Sequence, residues 1–265
     1  MTGSERAPGG QIALDFTPAP GAAPFPRMVL AQAGAEIRAM LRNGEQLLLT
    51  LIIPVLLLTG FSLAPLIDIG GGRRIDFLAP GVLALAVMST AFTGQAIATG
   101  FERRYGVLKR LGATPLSRAG LMLAKTSAVV AVEVIQAVVI VCVGLALGWR
   151  PHGSFLSAAL LIVVGTAAFS GLGLLMAGTL RAEATLAAAN LVYLLLLGAG
   201  GVIFPLSKFP EGMRQVLELL PISALTGGLR AVLAQGAALP LGPLAVLAAW
   251  AVLSLGLVSR TFRWE

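Results

Sequence analysis

Charge is what this chain has least of. Only 12% of its 265 residues are Asp, Glu, Lys or Arg, against 57% hydrophobic, and the mean hydropathy is +0.90. An ordinary soluble domain carries about 25% charged residues, so the composition excludes one and points to an integral membrane protein. Cysteine is nearly absent. Cys142 stands alone inside an apolar run, which excludes an internal disulfide and leaves a small buried apolar side chain as its expected role. His152 is the single histidine and cannot build a metal site alone. No G-x-x-x-x-G-K-[ST] stretch occurs, so the sequence lacks the amide cradle and lysine that hold ATP in phosphate loops. Paired histidines, an Asp cluster and a Gly-x-Ser-x-Gly turn are missing too, which leaves a membrane-embedded enzyme without catalytic candidates.

Long apolar runs are what the chain has in quantity. A helix needs about 20 apolar residues to cross a roughly 30 Å hydrocarbon core, and runs of that order lie at 46–66, 78–100, 119–148, 155–180, 184–206 and 240–260. Leu, Ala, Val and Ile fill them without strict alternation, which fits helices rather than barrel strands. The expected fold is therefore an all-α polytopic membrane protein with six spans. Residues 1–27 repeat Pro and Gly and contain no core of signal-peptide length, so a disordered cytosolic tail is expected there, uncleaved, with the membrane domain over 28–265.

Basic residues set the orientation. With the amino terminus inside, Arg6, Arg27, Arg38, Arg42, Arg103, Arg104, Lys109, Arg110, Arg118, Lys125, Arg181, Arg260 and Arg263 fall on the inner side. Arg73, Arg74, Arg150, Lys208, Arg214 and Arg230 fall outside. The positive-inside rule then places both termini in the cytoplasm. It also accounts for the net charge of +7 without a nucleic-acid partner. Arg outnumbers Lys 16 to 3, the habit of a GC-rich bacterial genome, so the expected location is a bacterial inner membrane.

Two segments are amphipathic. Over 28–45, Leu30, Gly34, Ile37 and Leu41 share one helical face, with Gln32, Glu36, Arg38, Arg42 and Glu45 opposite, the pattern of a helix lying in the membrane interface. Over 101–118, FERRYGVLKRLGATPLSR, the residues Phe101, Tyr105, Leu108 and Leu111 recur at helical spacing. Glu102, Arg103, Lys109 and Arg110 occupy the rest, until Gly112 and Thr114-Pro115 end the helix. A charged helix at a membrane face is a docking element.

The wording of that segment resembles the cytosolic coupling element of type-2 ATP-binding-cassette exporter membrane subunits. There the loop between spans two and three reads as an acidic-basic pair, a Gly, a Leu with basic residues, then Thr-Pro-Leu-Ser-Arg. Glu102, Arg103, Gly106, Leu108, Lys109, Arg110, Thr114, Pro115, Leu116, Ser117 and Arg118 fill those positions. A second region, 198–230, resembles the end of the family's fifth span, its extracellular re-entrant helix and the turn that closes it. Gly200 and Gly201 precede Phe204-Pro205. Phe209, Met213, Val216, Leu217 and Leu220 then form an apolar face, with Glu211, Arg214, Gln215 and Glu218 opposite. Where the family commonly has Asn-Pro, this chain has Leu220-Pro221, and Gly227-Gly228 replaces a polar pair.

The resemblance, closest to daunorubicin-type multidrug-export permeases, implies a transport subunit with no ATPase site of its own. A separate ATPase subunit would bind ATP and Mg and receive Glu102, Arg103, Tyr105, Leu108, Lys109, Arg110, Leu111 and Pro115. A second permease chain, identical or different, would complete the pair, with spans two and five lining a shared path. Candidates for that path are Phe92, Gln95 and Thr99 on span two, and Asn190 and Tyr193 on span five. Glu133 and Gln136 on span three join them, although polar residues in spans also serve as interhelical glue. Phe209, Met213, Arg214 and Glu218 mark the re-entrant helix. Such apolar walls suit a lipid-like or drug-like cargo better than a sugar or an ion. An alternative needs no ATPase: a proton-coupled transporter or channel in which Glu133 carries the proton.

Overall fold

The computed structural model describes residues 21–64 and 73–261, apart from the side chains of 45–47 and 49. Most of the tail and both chain ends lie outside these residues. Among those described there is no strand, and the helices follow in the order α1 (Phe25–Arg42), α2 (Gly44–Leu63), α3 (Arg74–Val87), a π-helical segment (Met88–Gly94) and α4 (Gln95–Arg104). After these come α5 (Val107–Gly112), α6 (Arg118–Ala146), α7 (Phe155–Thr179), α8 (Ala182–Ala199), α9 (Glu211–Glu218), α10 (Pro221–Leu233) and α11 (Leu241–Thr261). Pro24 precedes the first turn of α1 and Pro26 lies within it, where a proline costs no hydrogen bond, so the helix starts at Phe25, inside the expected tail.

Five stretches are long and apolar enough to cross a membrane: Arg74–Arg104, α6, α7, α8 and α11. The apolar part of α2, Thr50–Leu63, is shorter, and α9 and α10 form a pair bent by 89°. The chain is a polytopic all-α membrane protein. Its centre is the stretch Arg74–Arg104, whose most apolar window is 83% buried inside the protein, against 17% for α8 and 22% for α11. The two outer helices therefore show most of their apolar surface to lipid or to another chain. At about 1.5 Å per residue the central stretch of 31 residues reaches roughly 46 Å, longer than the roughly 30 Å hydrocarbon core.

Small residues decide what packs beside it. The buried side of α7 is largely Gly165, Ala168, Ser170, Gly171, Gly173 and Ala177, which lets backbones approach closely without a hydrophobic drive between helices. It packs against α11, α4 and α10, and Ser254 Oγ of α11 donates to the Ala168 carbonyl at 3.3 Å. Cys142 corrects the sequence expectation. It is exposed on the outer side of α6 rather than buried in the protein.

At the far end, the turn expected after Leu220-Pro221 is instead the start of a buried helix. Pro221 occupies the first turn of α10, and Ile222, Leu225, Leu229 and Val232 are fully covered. Arg230 fastens it. Its Nε donates to the Phe77 carbonyl at 3.0 Å, its Nη2 to the Val202 carbonyl at 2.9 Å, and its guanidinium lies 3.5 Å from the Phe77 ring centroid. Gly81 leaves the space for this: a Cβ there would stand 2.8 Å from the Val202 oxygen and 3.0 Å from Arg230 Nη2. Hydrogen bonds to charged groups contribute about 1.5–3 kcal/mol each. Arg230→Met and Gly81→Val are both expected to free α10, seen as faster amide exchange over 221–233 with α6 unchanged. Unaltered exchange there in both variants would show that the clasp is dispensable.

By contrast α9 buries nothing. Met213, Val216 and Leu219 are exposed, Phe209 is half-buried, and Arg214 Nε reaches Glu218 at 2.8 Å on the polar side. The re-entrant element expected from the sequence is thus two helices: a surface one carrying those residues and a deep one after them.

Candidate functional site

The 101–118 segment is not one helix. Tyr105 and Gly106 break it, and Gly106 adopts φ +72°, ψ 13°, a left-handed conformation that glycine accepts without steric cost. The first residues finish α4 and the rest form α5. Thr114 Oγ1 donates to the Leu111 carbonyl at 2.6 Å, and Ser117 Oγ accepts from the Gly120 amide at 3.1 Å, capping α6. The Thr-Pro-Leu-Ser run is therefore a helix stop followed directly by a helix start.

The break sorts the expected docking residues into two sets. Tyr105, Lys109, Arg110 and Pro115 are exposed. Leu108 is fully buried with Leu116, Leu121, Leu174 and Val258, and Leu111 packs against this cluster half-covered. A buried Leu108 is a root and cannot be an anchor offered to a partner. Arg103 also turns inward, donating to the Leu180 carbonyl where α7 ends, and Arg104 pairs with Glu183 at the start of α8. Tyr105 stacks on Phe101, ring centroids 6.1 Å apart.

Glu102 belongs to a cluster that the sequence reading missed. Lys125, only 4% exposed on α6, donates to Glu102 Oε2 at 2.6 Å and lies 3.1 Å from the Glu36 carboxylate. Gln32 Nε2 in turn donates to Glu36 Oε1 at 2.8 Å. Periodicity put Glu36 on the outer side of α1, but Met28, Val29, Ala33 and Glu36 face α6, while Leu30 and Leu41 point out to the surroundings. One ammonium thus ties α1, α4 and α6 together. The signal was present in the sequence as a lysine inside an apolar run with no carboxylate within reach on its own helix.

The path candidates do not share one surface. The segment Met88–Gly94 is a π-helix, whose i to i+5 bonds turn the chain less per residue than an α-helix does. The stripe expected on span two is therefore split. Gln95 and Thr99 line a cavity with Glu36, Glu102 and Lys125, whereas Phe92 lines a separate apolar groove with Met176, Val192, Leu196 and Trp250. Asn190 is exposed and donates to the Leu186 carbonyl of its own helix at 2.9 Å. Tyr193 is half-buried and hydrogen-bonded to Ser89. Glu133 accepts from Thr166 Oγ1. Gln136 accepts from Thr90 Oγ1 at 2.9 Å and donates to the Thr50 carbonyl at 3.1 Å. Glu133 and Gln136 line neither of these two cavities, and their hydrogen bonds run from α6 to α7, to the π-segment and to α2.

Among the described residues no group of three or more His, Cys, Asp or Glu is placed to hold a metal. Residues 29–234 match the family model described as ABC-2 type transporter. No curated protein matches the chain.

Proposed function

The chain belongs to the ABC-2 type transporter family of membrane domains, and from that premise we propose that it is the permease subunit of an ATP-driven exporter. The single observation that carries this reading is the two-sided build of residues 101–118. One side, Tyr105, Lys109, Arg110 and Pro115, is exposed; the other, Glu102, Arg103, Arg104 and Leu108, is tied to α6, to the α7–α8 corner and to α1. A partner that pushes on the exposed side moves the spans through the inner side. Such a partner is a separate ATPase subunit that binds ATP and Mg, meeting the basic residues with an acidic rim and Tyr105 with an apolar pocket.

The basic end faces the cytoplasm of a bacterial cell in this reading, and two permease chains pair through the sparsely buried α8. The apolar groove beside Phe92, about 410 Å³ with Trp250 and Leu196 in its wall, suits an apolar or amphipathic, drug-like or lipid-like cargo. The solitary proton-coupled alternative gains little from Glu133, which is enclosed between α6 and α7 and held by Thr166. The test is co-expression with candidate ATP-binding-cassette ATPase subunits from the same genome, followed by co-purification and vesicle transport. The expected result is one complex whose cargo movement needs ATP and both chains. Cargo movement by the purified chain alone would overturn the proposal.

A further inference from the structure

A half-open cavity bounded by α1, α4 and α6 carries charged and amide groups in its wall. It measures about 170 Å³, far above the roughly 10–15 Å³ that one water requires. Its charged walls are two carboxylates, Glu36 and Glu102, against one ammonium, Lys125. Lys125 reaches only one oxygen of Glu102. Gln95, 5% exposed, lines the same space with both its amide oxygen and its amide nitrogen unpartnered among the described residues. Thr99, fully buried, adds an unpartnered hydroxyl. Buried amides and hydroxyls without partners cost about 1–3 kcal/mol each, so the start of α4 holds polar groups at a loss unless something bonds to them.

We propose that this cavity binds a small primary ammonium group. Such a group brings three N–H donors and one positive charge, matching an excess carboxylate together with the Gln95 oxygen and the Thr99 hydroxyl. An anion would meet two carboxylates, and an apolar group would leave the amide and hydroxyl unbonded. Met40, Ala98 and Val129 in the same wall accept the carbon atoms next to the nitrogen. Two sources carry this chemistry: a soluble amine and the headgroup of phosphatidylethanolamine. The site does not depend on the transport reading, because occupation needs neither ATP nor a second subunit.

The test uses the full chain in phosphatidylcholine nanodiscs, titrated calorimetrically with ethanolammonium chloride. Choline chloride, which has no N–H donor, and sodium chloride serve as controls. Saturable binding of ethanolammonium alone is expected, weakened at least about tenfold in Gln95→Leu and in Thr99→Val, one lost hydrogen bond to a charged group being worth about 1.5–3 kcal/mol. Either variant suffices if the other fails to fold. In phosphatidylethanolamine discs, loss of the soluble signal assigns the site to the lipid headgroup, and an unchanged signal assigns it to a soluble amine. Ethanolammonium binding no better than choline, or equally well to the folded variants and the wild type, overturns the proposal.

Discussion

Lys125→Met is expected to be the most damaging single substitution in the described part of this chain. It would leave Glu36 and Glu102 facing each other without the ammonium that now lies 3.1 Å from one and 2.6 Å from the other. Removing one partner of a buried ion pair costs about 3–5 kcal/mol, because the remaining charge stays desolvated. Glu102 is a quarter exposed, which places the loss toward the lower end. The variant should reach the membrane in reduced amount and unfold in detergent at a clearly lower temperature. Adding Glu36→Gln and Glu102→Gln should restore most of the loss, since the three uncharged side chains no longer repel. A Lys125→Met protein as heat-resistant as the wild type would show that the cluster does not hold α1 in place.

Reversing charge at Lys109 and Arg110 together should abolish work without abolishing structure. Both side chains are exposed on α5, and exposed substitutions change stability by about 0.5 kcal/mol or less. On the proposed function, association with an ATPase subunit should weaken at least about tenfold, because like charges across an interface cost several kcal/mol, and ATP-driven export should fall with it. Arg103 is left out of this test by design. Its guanidinium holds the Leu180 carbonyl, so its reversal would disturb the α7–α8 corner as well. Leu108→Ala, in contrast, should cost about 2–5 kcal/mol of stability as a buried truncation. Full export by the Lys109/Arg110 double reversal would remove the docking surface from the mechanism.

Composition made the membrane class legible, and the apolar runs located the long helices, except that the fifth, expected to reach 206, ends as α8 at Ala199. The charged break between spans at 101–118 was legible because its charges interrupt apolar sequence and end in a Thr-Pro stop. What stayed hidden depends on contacts between distant residues. Lys125 and Glu36 are 89 positions apart, and no periodicity links them, so Glu36 read as a surface acid and Glu102 as part of the docking face. The π-segment Met88–Gly94 consists mainly of small and ordinary residues, MSTAFTG, with no proline to announce a break. Helix α10 begins at Leu220-Pro221, which reads as a turn, and contains Gly227-Gly228, two poor helix formers. Its burial against α3, α7 and α11 overrides that weak propensity.

The wide turn in the central span has a mechanical consequence. A helix that already holds one loosened coil can pass that slack up or down by re-pairing a few amides, without breaking the rod. The half from Gln95 to Arg104 is held by Lys125 and by the α7–α8 corner, and the half before the loosened coil is clasped by Arg230. A displacement of α5 would therefore be taken up between these two anchorages, as a local change of twist at Met88–Gly94.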